Sequence, residues 1–209
     1  MRASKTDDDL RSALNRPFAV LATALRIAFS LALAVVMAWS AGARAQSGSV
    51  NEYDVKAAFL FNFAKFIEWP NSGRQQSKSP FVICVYGDDP FGPSLDSVVK
   101  GKTIDDREIL TRRVRKIDEL RDCQMAFISS SEESRMPAVL AALSGSSVVL
   151  IGETAGFAQQ GGHIQLVMQD NRVRFLVNVD AAKRSHLQIS SKLLSLAQIV
   201  HEDRDPGRN

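Results

Sequence analysis

Five side chains able to bind a ligand directly follow segments with the pattern of buried strands: Asp88, Asp89, Ser129, Ser130 and Glu153. The carboxyl ends of parallel strands meet at one edge of an α/β sheet, where such folds usually bind ligands. These residues therefore define a candidate ligand crevice. The alternative for Asp88 and Asp89 is an ordinary turn, because Gly, Asp and Pro cluster in turns.

The sequence gives little support for a phosphorylation site or a phosphate-binding loop. Asp88 and Asp89 could mimic the acidic pair of a receiver domain, but the third strand ends in serines, 129–131, without an aspartate to accept phosphate. The motif KGKT at 100–103 matches the end of a phosphate-binding loop. However, Asp96 stands where its first glycine is required, and the motif follows a helix. We interpret it as a helix C-terminus.

Other catalytic and metal-binding patterns are also missing from the sequence. It contains neither a G-x-S-x-G turn nor an H-E-x-x-H motif. Its three histidines, His163, His186 and His201, have no metal-ligand spacing among themselves or with the cysteines. We therefore predict no catalytic residue, cofactor or metal, which favours a binding protein. A small-ligand sensor or an unrecognised hydrolase that uses the crevice is the alternative.

Alternating strands and helices are predicted to position the crevice. The expected strands are 81–86, 107–114, 123–128 and 148–151, and the expected helices are 93–100 and the segment from Ser129 through Leu143. A β-hairpin follows, with strands 163–169 and 172–179 joined by the two-residue turn Asp170-Asn171. This order predicts an α/β fold whose mixed sheet is parallel in its first part, with helices on both faces. An α+β sandwich is the alternative.

The C-terminal segment has a helical pattern from residue 180 to 200. Ile189, Leu193, Leu196 and Val200 recur at i, i+4, i+7 and i+11, as on one face of a helix. Ser190 is the position at which this helix could break.

An export signal is predicted at the N-terminus. Five basic residues lie within the first 26, a charge-free run follows at 27–39, and Ala43-Arg44-Ala45 offers a cleavage site. We expect a signal peptide at 1–45, a single periplasmic domain at 46–209, and no membrane insertion of the mature chain. The alternative is an uncleaved anchor, although the apolar run is short for spanning a bilayer.

Removing residues 1–45 changes the charge balance. They hold six of the 26 Lys and Arg residues and three of the 23 Asp and Glu residues, so 20 of each sign remain. The signal segment is thus the reason for the high sequence pI of about 9.0. It gives no reason to expect a nucleic acid as partner.

The first helix of the mature chain, in VKAAFLFNFAKFIEWP at 55–70, is apolar on nearly every side. Val55, Phe59, Phe63 and Phe66 form one stripe, which we expect to be core. Leu60 and Phe61 fall outside it, and with Trp69 they are predicted to reach a homodimer seam or a membrane partner. The alternative is that the C-terminal helix covers them through Leu193, Leu196 and Val200.

The two cysteines, Cys84 and Cys123, are predicted to form a disulfide. They lie in the first and third strands, which are neighbours in the common flavodoxin-like strand order, and an oxidising compartment favours pairing. Two buried free thiols are the alternative, because cysteine is among the most buried residue types.

Four blocks of the sequence together resemble the YfiR/HmsC-like family. They are YDVKAAFLFNFAKFIEWP at 53–70, GFAQQGGHIQL at 156–166, VRFLVNVDAA at 173–182 and HLQISSKLLSLAQIV at 186–200. The resemblance implies a small periplasmic α/β domain that is not an enzyme and that represses an inner-membrane diguanylate cyclase. It thus implies control of cyclic-di-GMP, biofilm and exopolysaccharide; a sensor kinase is the other partner it allows. Members known for two cysteine pairs differ from this chain, which has one.

The export signal predicts the N-terminus of the mature protein. Mass spectrometry of the protein purified from the periplasm should find a first residue between Ala43 and Ser49, because the small-x-small sites lie there. A protein that retains Met1 or begins at Ala3 would contradict cleavage.

Overall fold

The computed structural model describes residues 51–70 and 79–202, and the signal segment lies outside them. Among the described residues, the helices are α1 (Glu52–Phe66), α2 (Pro93–Val99), α3 (Met136–Leu143), α4 (Val179–Arg184) and α5 (Ser191–Leu194). The strands are β1 (Ile67–Glu68), β2 (Phe81–Tyr86), β3 (Thr103–Ile104), β4 (Arg107–Val114), β5 (Met125–Ile128), β6 (Val149–Gly152), β7 (Ile164–Gln169), β8 (Arg172–Asn178), β9 (Gln188–Ile189) and β10 (Gln198–Val200). Two 3-10 helices, Ile117–Asp122 and Ser130–Arg135, precede β5 and α3.

The described strands form an eight-stranded mixed sheet and a two-stranded sheet. The large sheet has the order β10-β8-β7-β6-β5-β2-β4-β3, and β1 pairs with β9. From β4 to β7 the neighbours are parallel, whereas β7 and β8 form an antiparallel hairpin. Asp170 and Asn171 in its turn have positive φ angles of 50° and 58°, as a tight hairpin turn requires. The predicted α/β fold is confirmed.

Helices cover both faces of the large sheet. Because side chains alternate along a strand, neighbouring residues pack against opposite helical layers. In β2, Ile83 and Val85 join the cluster that packs against α1 and α2. Cys84 and Tyr86 join the other cluster, which contains α3. The part of the chain that the structure describes contains no helix long and apolar enough to cross a membrane.

The buried stripe of α1 differs from the predicted one. Ala57, Leu60, Phe63 and Ala64 are at most 1% exposed, whereas Phe59 and Phe66 are only partly buried. The prediction used bulky aromatic positions to orient a helix that is apolar all round. The structure instead places small alanines against the sheet, where the backbone can approach closely. The rings of Phe59 and Phe66 then lie at the sides of this stripe, and Phe59 contacts Phe175 with ring centroids 5.6 Å apart.

The long C-terminal helix predicted at 180–200 is wrong. The segment instead forms α4, β9, α5 and β10. His186 adopts a positive φ of 56°, and Ser190 caps the single turn of α5 by accepting a hydrogen bond from the Leu193 amide. In a helix, the backbone N–H and C=O groups of this segment would bond to one another. Here they bond instead to other strands, since β9 pairs with β1 and β10 pairs with β8. Leu193 is buried against the α1 side of the sheet, but Leu196 is 70% exposed.

The disulfide between Cys84 and Cys123 is confirmed. The two Cα atoms lie 6.0 Å apart, and the bond closes a loop of 39 residues. Cys123 lies just before β5, the neighbour of β2 in the sheet. Both cysteines are buried in the cluster beneath α3.

Replacing both cysteines should destabilise the protein. On the chain-entropy model, a loop of this length contributes about 4 kcal/mol to the free energy of unfolding. The double variant Cys84→Ala/Cys123→Ala should therefore unfold at a clearly lower urea concentration than the oxidised wild type. Thiol labelling of the unreduced, unfolded wild type is the control, and two reactive thiols would contradict the bond.

Candidate functional site

The structure brings the predicted crevice residues to one edge of the sheet, because they follow the adjacent strands β2, β5 and β6. Four of the five side chains, however, bond to other groups of the chain. Asp88 pairs with Arg115 at 3.0 Å, and Asp89 with Arg113 at 2.8 Å. Ser129 is buried and accepts a hydrogen bond from the Ser131 amide. Ser130 is exposed.

Glu153, the fifth crevice residue, belongs to a buried ionic network that ties α1 to the end of β6. The Nζ atom of Lys56 lies 2.5 Å from one oxygen of Glu153 and 2.5 Å from one oxygen of Glu52. The side chain of Lys56 is only 4% exposed. Tyr53 donates a hydrogen bond from its hydroxyl to Glu153 at 3.3 Å.

Lys56 stays charged at neutral pH. Burial alone would lower the pKa of Lys56, but hydrogen bonds to Glu153 and Glu52 outweigh it and hold that pKa above its ordinary value. Burial, followed by the negative charge of Glu153, raises the pKa of Tyr53. The network is therefore a structural link between helix and sheet. The sequence prediction missed it, although the four-residue spacing of Glu52 and Lys56 is a signal for an ion pair on a helix.

A second polar pair, which no sequence motif indicated, joins His163 to Ser185. The Nε2 atom of His163 lies 2.9 Å from the Ser185 hydroxyl oxygen, as in a nucleophile and its base. The Nδ1 atom accepts a hydrogen bond from the Leu150 amide at 2.9 Å, so the proton of the neutral ring is on Nε2. Burial, with the charge of Arg184 as a smaller cause, lowers the pKa of His163 to about 4. The ring thus donates to Ser185 and cannot accept its proton.

The surface that the sequence predicted to contact a partner lies along the C-terminal half of α1. Leu60 is fully buried and offers nothing to a partner, which corrects its expected role. Phe61 is partly exposed, and its ring lies under Lys102, whose Nζ is 4.2 Å from the ring centroid. The Nζ of Lys65 is 5.5 Å from the same centroid. We call Phe61, Lys65, Lys102 and Trp69 the aromatic-basic surface.

Trp69 lines a groove of about 710 Å³ that adjoins this surface through Lys65. Its Nε1 donates to the Gln124 carbonyl at 3.2 Å, and its ring meets Phe81 edge-on at 5.1 Å. The groove also contains Glu68, Asp105 and Gln188. The mixture of aromatic, basic and acidic groups suits a protein segment better than a small apolar ligand.

Fold and site together describe a small α/β domain with an aromatic and basic surface beside a groove. Within residues 51–70 and 79–202, no group of three or more His, Cys, Asp or Glu side chains could hold a metal ion. The family model described as YfiR/HmsC-like matches residues 53–198, and the chain belongs to this family.

Similarity to individual known proteins is remote. No curated protein matches the chain. One similar solved structure is the ABC domain in complex with L-Trp from Streptococcus pneumonia, at 11% identity and a TM-score of 0.42. Another is a conserved domain protein from Vibrio cholerae O1 biovar El Tor, at 9% identity and a TM-score of 0.46. The matches cover 57% and 72% of this chain, but 55% and 60% of those chains.

Burial of neutral His163 predicts a stability that falls in mild acid. Above its unfolded-state pKa of about 6.5, neither folded nor unfolded protein binds the proton. Between that value and the folded-state pKa of about 4, the unfolded state binds it preferentially, so stability falls as pH falls. The loss should reach about 3 kcal/mol near pH 4.

Urea unfolding between pH 7 and pH 4 measures this loss. His163→Gln should remove much of the slope, because the titrating group is gone. His186→Asn, at an exposed position with a left-handed backbone, is the matched control and should keep the slope. Equal slopes in both variants would contradict the role of His163.

Proposed function

We propose that this protein is a periplasmic regulatory binding protein that represses an inner-membrane signalling protein, a diguanylate cyclase. It would bind the periplasmic part of the cyclase and so lower cyclic-di-GMP output, biofilm and exopolysaccharide. The YfiR/HmsC-like family, known for periplasmic regulators of diguanylate cyclases, supports this general kind of function.

The aromatic-basic surface is the observation that carries the proposal. Phe61 and Trp69 are large aromatic side chains that remain partly exposed beside a groove, as the dominant residues of protein interfaces often are. Lys65 and Lys102 surround the Phe61 ring with positive charge. The matching partner segment would carry acidic side chains opposite the lysines and one bulky side chain for the groove.

The chemistry of the polar groups supports binding over catalysis. Ser185 lacks a base, because His163 holds its proton on the nitrogen that faces the serine. The carboxylates of Asp88, Asp89 and Glu153 are each paired with a cation. A hydrolase that uses these groups is therefore disfavoured.

The variant Phe61→Ser tests the surface. We expect it to keep the fold and the melting temperature nearly intact, because the ring is only partly buried. Binding to the periplasmic domain of the partner cyclase should weaken by about 2 kcal/mol, roughly 30-fold. A cyclic-di-GMP reporter in cells should show derepression.

Leu110→Ser is the matched control, since Leu110 is 44% exposed and follows Ile109 of the α1-side cluster, so it faces the other side of the sheet. It should bind and repress like the wild type. If Phe61→Ser unfolds the protein, Phe61 is core and the surface is wrong. If it changes only the sedimentation coefficient, the surface is a homodimer seam and not the cyclase site.

A further inference from the structure

The strand β3 forms one end of the large sheet and also one wall of the groove at Trp69. Among the described strands, β4 is its single neighbour. Both residues of β3, Thr103 and Ile104, line the groove together with Asp105, which follows them. An edge strand presents backbone N–H and C=O groups with which another chain can pair. The groove therefore contains a place where a strand can be added to the sheet.

The hairpin geometry shows which backbone groups of β3 point outward. A two-residue turn joins β3 to β4, so the flanking residues Ile104 and Arg107 form a hydrogen-bonded pair. Lys102 also faces β4, because its carbonyl accepts a hydrogen bond from the Ile109 amide at 3.2 Å. In an antiparallel ladder such pairs alternate with pairs that are not bonded. The N–H and C=O groups of Thr103, between Lys102 and Ile104, therefore point away from β4.

These two outward groups are open to a partner. Outside the pairing of β3 with β4, no backbone group of residues 51–70 and 79–202 bonds to the N–H or C=O of Thr103. Thr103 is exposed, so both groups are hydrated in the isolated domain. A strand that replaced this water would gain two main-chain hydrogen bonds, which is how extended segments bind to sheet edges.

The side chains along β3 change from basic through apolar to acidic. Lys102 precedes the strand, and its Nζ lies 4.2 Å from the ring centroid of Phe61, so this side chain points to the α1 side. Ile104 is buried in the cluster on that same side. Asp105 follows at the other end and is exposed. An added strand would thus meet positive charge at one end of β3 and negative charge at the other.

The rest of the groove agrees with this order of charges. Lys65 lines the groove, and its Nζ lies 5.5 Å from the same Phe61 centroid, so the two lysines share one end. Ala64 and Ile67 supply a buried apolar floor. Glu68 adds a second carboxylate to that of Asp105. The groove is therefore complementary to a segment with an apolar side chain between two opposite charges.

We propose that the groove binds an extended segment of the partner, which adds to β3 as an antiparallel strand. The identity of the partner rests on the proposed function; the mode of binding rests on β3. Antiparallel pairing suits so short an edge, because one partner residue then bonds to both the N–H and the C=O of Thr103.

The antiparallel direction predicts a sequence pattern for the segment. The residue before the one opposite Thr103 faces Ile104 and the apolar floor. The residue before that lies beside Asp105, and the residue after the central one lies beside Lys102. From its N-terminus the segment therefore reads basic, apolar, any residue, acidic.

A short peptide with this pattern tests the binding mode directly. In an NMR titration of the full mature chain, acetyl-Ser-Arg-Ile-Thr-Glu-Ser-amide should cause saturable shifts centred on residues 64–69 and 102–105. The same peptide methylated on the threonine nitrogen lacks the N–H for the Thr103 carbonyl and should bind about tenfold more weakly. The reversed peptide, Ser-Glu-Thr-Ile-Arg-Ser with the same end groups, should also bind more weakly, because it matches the charges only as a parallel strand.

Variants at Thr103 separate backbone pairing from side-chain contact. Thr103→Pro removes the outward N–H, and proline is tolerated at an edge when its nitrogen faces solvent. It should weaken peptide binding about tenfold or more with a nearly unchanged melting temperature. Thr103→Val keeps the backbone and is the matched control, so it should bind the peptide like the wild type. Lys102→Glu should weaken binding, and a peptide with lysine in place of glutamate should restore it.

The proposal fails if the peptide gives no saturable shifts at millimolar concentration. It also fails if the methylated peptide or Thr103→Pro binds as tightly as the unmodified pair. If the wild type sediments as a dimer and Thr103→Pro as a monomer, β3 pairs with a second copy and the partner segment is wrong.

The periplasmic domain of the partner cyclase distinguishes this failure from that of the proposed function. If the peptide binds as expected but the cyclase domain does not bind, strand addition stands and the repressor proposal fails. If the cyclase domain binds Thr103→Pro like the wild type but binds Phe61→Ser weakly, the repressor proposal stands and strand addition fails.

Discussion

The arrangement of this domain depends on the buried ammonium group of Lys56. A charge taken out of water must be paired, and Glu153 supplies the partner from the end of β6, a central strand of the sheet. The first turn of α1 is thereby attached at one point of the sheet. Because a helix is rigid along its length, its later turns place Ala57, Leu60 and Ala64 on the core and leave Phe61 partly exposed.

The two faces of the sheet then carry different features. The face under α1 holds the aromatic cluster and adjoins the groove at Trp69. The face under α3 holds the disulfide and a cavity of about 400 Å³ lined in part by Leu140 and Leu143 of α3. The C-terminal segment connects them, since Ser185 lines the cavity and Gln188, three positions later, lines the groove. The walls of the cavity and of the groove therefore share one stretch of backbone.

Strand positions were predictable because their signals are local. The segments Phe81–Tyr86 and Arg107–Val114 were predicted with the bounds that the structure shows, the first from an apolar run and the second from a weak alternation of apolar and polar residues. The disulfide followed from the expected neighbourhood of two strands. The crevice was predicted from strand ends alone, and such reasoning cannot show that Asp88, Asp89 and Glu153 are each paired with a distant cation.

The sequence by itself determined the α/β class, the parallel sheet with its hairpin, and membership of the YfiR/HmsC-like family, because periodicity, turn residues and motifs act over short stretches. Only the tertiary structure decided which side of α1 is core, since an all-round apolar helix has no preferred face until it meets the sheet. It also decided that residues 188–189 and 198–200 pair as strands, because β1 and β8 offer them backbone hydrogen bonds from far along the chain. The His163 tautomer depends likewise on a distant backbone amide, that of Leu150.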